Sequence, residues 1–239
     1  MLRSNFYKTV LVLTAFYLPV SSVLAQNFKK DFTSTQEAYS KLDRFYCEVG
    51  INIYDSYKAQ NPSEKIASVI KKQKNNFWYS MGKTTMIVND NCILYISDEN
   101  KQITYTIRDK KDELSIPNQN AAAMIDTILK KSDSVTFEGI KNNCLQYVIH
   151  ASTSFITKTE LSIRQDNFLI SRICYYYDEQ KYPSSNKVII EYSKINTARE
   201  FLDSEFSEKK YITYSGKVLK PLSPYVGYST TVIDQNDIK

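Results

Sequence analysis

The chain has 239 residues, of which 31 are Lys or Arg and 26 are Asp or Glu, so its formal net charge is only +5. The basic residues are scattered and do not form the dense stripe that nucleic-acid binding requires, so we expect no nucleic-acid partner. Only five Gly and six Pro occur, and no Gly-, Ser- or Pro-rich linker divides the chain, so a single domain is the simpler interpretation.

The first 25 residues have the composition of a cleavable secretory signal. Arg3 and Lys8 give a basic start, residues 9–20 are an apolar run, and Ala25 precedes the expected cleavage. A membrane-spanning helix needs about 20 apolar residues, so the run is too short, although an uncleaved anchor is the alternative. No Cys follows the run where a bacterial lipoprotein would be acylated. We therefore expect a periplasmic mature chain, residues 26–239, without a lipid anchor or stable membrane insertion.

The start of the mature chain predicts a helix followed by a strand. Residues 34–44 have a helical pattern with a Ser or Thr cap at the beginning. Residues 45–54 then alternate between apolar and polar, with Cys47, Val49 and Ile51 on one side. Alternation of this kind is typical of a half-buried strand.

Five more strands are predicted before the next helix. Two lie at residues 65–72 and 77–81, and residues 86–107 read as three strands joined by turns at 89–91 and 98–101. Asn and Asp dominate these turns, and their side chains readily close turns of the backbone.

A second helix is predicted at residues 118–131. Ala122, Ile125 and Leu129 stand at helical spacing, and Pro117 precedes the segment. Five further strands are then expected, at residues 134–140, 145–152, 157–164, 168–177 and 187–195.

A sheet of this many antiparallel strands is not expected to stay flat, because a long twisted sheet curls and its unpaired edges invite aggregation. The predicted fold class is α+β, mainly β. We expect a curved, incomplete antiparallel barrel of about ten or eleven strands, with helices covering its concave face. Beneath the helices lies either a packed core or a cavity.

The cysteines and the single histidine give no sign of a metal or redox centre. Cys47, Cys92, Cys144 and Cys174 permit two disulfides in three connectivities, but they lack the spacing of a CxxC motif or a zinc site. Cys47 is at least as well explained as a small buried apolar residue. His150 alone does not make a multi-histidine centre, and we expect it on the more polar face of a strand. No cofactor or metal is predicted.

Signatures of common enzymes are missing from the sequence. Neither the GxSxG pattern of a nucleophile elbow nor a GxxxxGK phosphate loop occurs. The pair Asp112 and Glu113 is more typical of a charged loop than of a glycosidase dyad. We therefore do not expect an enzyme.

The order of these parts resembles the LolA-like family of periplasmic lipoprotein carriers. The resemblance covers most of the mature chain and lies in the stretches AYSKLDRFYCEVGINIYDS, NFWYSM, ILYIS, LSIRQDNFLISRICYYYDEQ and VIIEYSKINTAREFLDSEF. It implies a curved half-barrel whose hydrophobic concave face is covered by helices. The family's lid-holding arginine corresponds here to VIKKQKNN, with Lys72 nearest, so Lys72 is the possible lid latch. The tail from about residue 211 is additional to the family pattern.

The resemblance implies a non-catalytic carrier or binding protein for lipoprotein acyl chains or other lipids between the inner and outer membranes. An inner-membrane donor and an outer-membrane acceptor are the possible protein partners, and we expect a monomer. The residues expected on the concave wall and the covering helix are Trp78, Leu94, Ile96, Ile103, Tyr105, Ile107, Ile125 and Leu129.

An alternative interpretation keeps the fold but changes the function. The chain has 19 Tyr residues, and Tyr offers a large amphipathic contact area that recurs at protein interfaces. In this interpretation the protein binds an envelope protein, for sensing or scaffolding, and does not transport lipid.

Overall fold

The computed structural model describes residues 20–108, 129–152, 155–181, 186–215 and 218–234. A long helix, α1, spans Val20–Ser40. The strands are β1 (Arg44–Tyr54), β2 (Glu64–Gln73), β3 (Asn76–Met81), β4 (Thr84–Val88), β5 (Cys92–Ser97), β6 (Gln102–Ile107), β7 (Ser134–Lys141), β8 (Cys144–His150), β9 (Ile156–Arg164), β10 (Ile170–Tyr177), β11 (Lys187–Asn196), β12 (Ile212–Ser215), β13 (Val218–Pro221) and β14 (Ser229–Asp234). Two short 3-10 helices lie at Asp203–Phe206 and Glu208–Lys210.

Twelve of the described strands form one curved sheet in the order β14-β6-β5-β4-β3-β2-β1-β11-β10-β9-β8-β7. Neighbouring strands are antiparallel, except that β14 runs parallel to β6. Within the described residues the two edge strands, β14 and β7, do not pair with each other, so the barrel is incomplete. Strands β12 and β13 form a separate hairpin. The expected fold class is confirmed.

The eleven strands predicted before the tail coincide with β1 to β11, with small differences at their ends. Both predicted turns between residues 86 and 107 are present as well. At the first turn, the side-chain oxygen of Asn89 accepts hydrogen bonds from the amides of Asn91 and Cys92, at 2.9 and 3.0 Å. The second turn ends at Lys101, which has a positive φ of 48°. Local turn chemistry therefore fixes the register of these hairpins.

The helix predicted at residues 34–44 is wrong at both ends. α1 starts at Val20 and ends at Ser40, while Arg44 already belongs to β1. No cap occurs near the predicted start, because the Thr35 hydroxyl donates to the carbonyl of Asp31 one turn earlier, at 3.1 Å. A hydroxyl with this bond lies inside a helix, where it satisfies a carbonyl of the preceding turn.

The second predicted helix, at residues 118–131, lies largely outside the described residues. Leu129 and Lys130, which are described, are helical. Within the described parts of the chain, no helix is both long and apolar enough to cross a membrane.

One face of the sheet, which we call the helix face, is covered by α1. Phe28 of α1 packs edge-on against Tyr147 of β8, with ring centroids 4.7 Å apart, and Phe32 stacks beside Phe28. Near the other end of α1, Tyr39 packs against Phe45 of β1. The helix therefore crosses from the β8 side of the sheet toward its centre.

The opposite face, between β3 and β6, is covered by the C-terminal segment. We call residues 211–234 the tail and this side of the sheet the tail face. Ile212 and Leu219 of the tail are buried in one cluster with Leu94 and other sheet residues. Tyr214 stacks on Tyr105, with ring centroids 4.9 Å apart. The additional tail is thus a third structural layer.

Candidate functional site: the helix face of the sheet

The register of the strands determines which side chains share the helix face. Residues directly opposite each other on neighbouring antiparallel strands point to the same side. Cys47 is opposite Ile70, Ile70 is opposite Tyr79, and Tyr79 is opposite Met86. This row belongs to the helix face, because Cys47 lies in the buried cluster against which Tyr39 of α1 packs.

Beyond the end of α1, the helix face presents apolar side chains that are only partly buried. Ile51, Tyr79 and Met86 pack against the buried cluster around Cys47 and continue it toward solvent. Tyr95, opposite Met86, is 42% exposed. We call this surface the open strip, and it comprises Ile51, Ile66, Tyr79, Met81, Met86 and Tyr95. A contiguous apolar surface of this kind is a candidate ligand site.

Polar groups lie among these apolar side chains. Ser68, on the same face as Met81, is 3% exposed. The Tyr79 hydroxyl donates to the sulfur of Met81 at 2.8 Å, and burial raises the pKa of Tyr79. Burial also raises the pKa of the Cys47 thiol to about 12. The hydroxyl and thiol groups of Tyr79 and Cys47 are therefore uncharged at neutral pH.

Lys72, the predicted lid latch, lies on the helix face between Phe45 and Phe77. Its ammonium group donates to the carbonyl of Leu42, two residues after the end of α1. Burial lowers the pKa of Lys72, and the nearby Asp43 raises it. A lysine that bonds a carbonyl just past a helix C-terminus favours that helix end. Lys72 therefore holds the connection from α1 into β1, and its role as a lid latch stays a prediction.

The six strand residues predicted for the concave wall lie together, but on the tail face. Leu94 is opposite Ile87 and Tyr105, and Ile96 is opposite Ile103. The cluster is covered by the chain's own tail, and the Trp78 indole donates to the Tyr211 hydroxyl at 3.2 Å. The cluster contains Trp78, Leu94, Ile96, Ile103, Tyr105 and Ile107. Contact of these residues with a ligand stays a prediction.

The structure describes only one of the two residues that are predicted on the covering helix. Leu129 is partly buried and packs against the helix-face cluster around Phe28 and Tyr147. Ile125 lies outside the described residues. Leu129 is thus on the same side of the sheet as α1.

The cysteines and the histidine do not form a reactive centre within the described residues. All four cysteines have free thiols, and Cys47, Cys92 and Cys174 are buried. His150 is exposed on β8, as the polar-face prediction requires. Among the described residues no group of three acidic, His or Cys side chains is placed to hold a metal.

A polar pocket of about 510 Å³ lies on the face opposite α1, over β8 to β10. Glu160 at its wall pairs with Lys158 at 2.9 Å and with Arg172 at 3.4 Å. Burial raises the pKa of Glu160, but its hydrogen bonds to Lys158 and Tyr176 outweigh that effect and lower it. These charged groups satisfy one another.

Sequence comparisons give no relative: no family model and no curated protein match the chain. Solved structures with a similar fold do exist. An uncharacterised conserved protein from Thermus thermophilus matches 86% of this chain and 99% of its own length, with 7% identity and a TM-score of 0.47. A LolA superfamily protein from Nitrosomonas europaea matches 76% of this chain and 98% of its own, with 10% identity and a TM-score of 0.33.

MucB, in the Pseudomonas aeruginosa MucA/MucB complex, matches 80% of this chain over 63% of its own length, with 9% identity and a TM-score of 0.37. The similar structures thus include the LolA superfamily, which is the family that the sequence resembles. These three likenesses concern the fold alone, since none of the three structures exceeds 10% sequence identity with this chain.

Proposed function

We propose that this protein binds the acyl chain of a lipid or lipoprotein against the open strip, as a non-catalytic carrier in the periplasm. The observation that supports the proposal is a partly exposed apolar surface that continues a buried cluster past the end of α1. Transfer of a hydrocarbon chain from water is favourable by about 0.8 kcal/mol per buried methylene. A ligand that covers the strip would bury several such groups together with the strip itself.

A carrier must also release its cargo, and the open strip suits this requirement. Tyr95 at one end of the strip is 42% exposed, so an acyl chain there would keep contact with solvent. Met81 and Met86 contribute flexible side chains, which adapt to irregular apolar ligands. The same proposal includes a signal peptide over residues 1–25, an inner-membrane donor and an outer-membrane acceptor.

The alternative function, binding of an envelope protein through exposed tail tyrosines, has less support. Tyr211, Tyr214, Tyr225 and Tyr228 are partly buried and pack on the tail-face cluster. Their rings already contribute to the interior of the protein, which reduces the area that they offer to a partner.

The proposal is tested with a fluorescent acyl probe and two matched variants of the mature chain. Ile66→Glu places a carboxylate in the open strip, whereas Ala67→Glu places it on the opposite face of the same strand, where Ala67 is exposed. We expect Ile66→Glu to weaken probe binding about tenfold or more, since the lost apolar contact is worth about 1.5 kcal/mol. Ala67→Glu should bind as the wild type does.

Thermal unfolding of both variants checks that they are folded. The proposal is rejected if the wild-type protein binds no acyl probe and no acylated molecule is extracted from the purified protein. Equal affinities of the two variants would place any binding away from the open strip.

A further inference from the structure

The tail and the short 3-10 helix before it carry a local excess of positive charge. Residues 209–233 contain four Lys residues and no Asp or Glu, whereas the whole chain has a formal net charge of only +5. Lys209 and Lys210 are exposed on the 3-10 helix, and Lys220 is exposed on β13. Within the described residues, none of these three side chains forms an ion pair.

Two large apolar side chains are exposed in the same segment. Val218 on β13 is 54% exposed, and Val226, in the turn before β14, is 74% exposed. The alternation of β13 explains the first exposure. Leu219 is buried against the tail-face cluster, so Val218 and Lys220 on either side of it point away from the sheet.

The turn after the hairpin brings the second valine beside the 3-10 helix. The Leu222 amide donates to the Tyr211 carbonyl at 2.8 Å, and the rings of Tyr225 and Tyr211 pack with centroids 5.6 Å apart. Val226 follows Tyr225, and Tyr211 follows Lys210, so the valine lies near the lysine pair. We call the exposed residues of this segment the tail patch: Lys209, Lys210, Val218, Lys220 and Val226.

Two acidic side chains that border the tail are bonded at its sheet side. Glu208 accepts a hydrogen bond from the Asn89 amide at 2.7 Å, and Asp98 accepts one from the Tyr228 hydroxyl at 3.3 Å. Asn89 and Asp98 belong to the turns on either side of β5. In the described structure neither carboxylate pairs with a lysine of the tail patch, which therefore presents its positive charges to the outside.

We infer that the tail patch docks the protein on a membrane surface that contains anionic phospholipids. Lysine ammonium groups are attracted to anionic head groups, and exposed apolar side chains enter the boundary between head groups and acyl chains. The tail patch combines both kinds of residue. The inference is independent of the proposed acyl-binding function, because the open strip lies on the opposite face of the sheet and is not covered by a docked tail.

Vesicle flotation of the mature chain tests the inference. One set of vesicles consists of phosphatidylcholine alone, and the other contains phosphatidylcholine and phosphatidylglycerol in equal parts. We expect the wild type to bind the anionic vesicles at least about tenfold more tightly at low ionic strength. Added salt should release the protein, because salt screens the attraction between exposed charges.

Two lysine pairs provide matched charge variants. Lys209→Gln/Lys210→Gln removes two positive charges from the tail patch, whereas Lys29→Gln/Lys30→Gln removes two exposed charges from α1 on the other face. The first variant should bind anionic vesicles about tenfold more weakly than the wild type. The second variant, which has the same net charge, should bind as the wild type does.

A matched pair of apolar positions tests the contribution of the valines. Val226→Asp should weaken binding to the anionic vesicles about tenfold, because it replaces an inserting side chain by a like charge. Ile140 is 60% exposed on β7, at the opposite edge of the sheet. Ile140→Asp should therefore leave vesicle binding unchanged. Thermal unfolding checks that each variant is folded.

Absence of wild-type binding to the anionic vesicles at low salt would overturn the inference, as would equal binding by the two lysine variants. Neither result would affect the proposed function, since Lys209→Gln/Lys210→Gln should bind the acyl probe as the wild type does. Loss of acyl-probe binding in a protein that still floats with anionic vesicles would reject the proposed function alone.

Discussion

At the scale of single residues, the pair Lys71 and Glu205 joins the 3-10 helix Asp203–Phe206 to β2. The ammonium and carboxylate are 2.8 Å apart, and both side chains are largely buried. The hydrogen bond from Lys71 lowers the pKa of Glu205, and burial opposes that shift. Because the folded pKa lies below the unfolded one, the pair stabilises the protein above the ordinary Glu pKa. That stability is lost as the pH falls through the folded pKa.

We therefore expect Glu205→Gln to lower the free energy of unfolding at pH 7 by about 0.5–1.5 kcal/mol. The difference from the wild type should shrink below about pH 4 and disappear once the Glu205 carboxyl is protonated. Urea unfolding across a pH series measures both effects.

Glu200→Gln is the control, since the Glu200 side chain is 76% exposed beside Arg44 and its loss should cost less than about 0.5 kcal/mol. A difference between Glu205→Gln and the wild type that does not shrink as the pH falls would contradict the role of the ion pair.

Sequence alone did not predict toward which face of the sheet the individual strand residues of the site point. Alternation of apolar and polar residues identifies the buried face of a strand only when the two sides of that strand differ in polarity. In β5, Ile93 and Tyr95 point to the helix face, while Leu94 and Ile96 point to the tail face. Both sides are apolar because both are covered, at least in part. The sequence places the predicted wall on the more aliphatic side, which the tail covers, and contact of that side with a ligand stays a prediction.

At the scale of elements, the β12–β13 hairpin shows how the tail contributes to stability. Ile212 of β12 is 1% exposed in the tail-face cluster, whereas Val218 of β13 is 54% exposed. The two residues are close in sequence and belong to one hairpin, so they form a matched pair for substitution.

Ile212→Asp should destabilise the protein by about 3 kcal/mol or more, because it buries an unpaired carboxylate in an apolar cluster. Val218→Asp should change the free energy of unfolding by less than about 0.5 kcal/mol. Denaturant unfolding followed by tryptophan fluorescence suits this test, since Trp78 contacts the tail through Tyr211. Equal stability of the two variants would show that the tail is not part of the cooperative structure.

Element type was predictable for β1 to β11, but the limits of α1 were not. The turn residues and the alternation are local signals, so they identify strands without knowledge of the fold. α1 already includes Val20, the last residue of the apolar run that has the pattern of a signal peptide. The tail carried no family pattern, and its contact with β3 to β6 is a long-range feature that local signals do not encode.

At the scale of the whole molecule, the centre of the sheet joins distant parts of the chain. β1 pairs with β2 on one side and with β11 on the other. Ser193 of β11 donates to the carbonyl of Glu48 in β1, although the two residues are 145 positions apart. The central strand is therefore incomplete until nearly the whole sheet has been synthesised.

A mature chain that ends at residue 186 lacks β11 and should not fold cooperatively, because β1 and β10 both lose a partner strand at the centre of the sheet. A chain that ends at residue 228 lacks, among the described elements, the edge strand β14, and it should still unfold in a single cooperative transition. Circular dichroism during thermal unfolding distinguishes the two results. Cooperative unfolding of the shorter chain would show that the two halves of the sheet are independent.

Opposite ends of the chain, α1 and the tail, cover the two faces of the sheet. This arrangement affects how the sequence of such a protein can change in evolution. The sheet separates the tail layer from the open strip, so substitutions on the two sides share few direct contacts and their effects on stability should be nearly additive. Mutations that improve packing under the tail can offset destabilising changes in the strip. The residues of the open strip are then free to change while the fold persists.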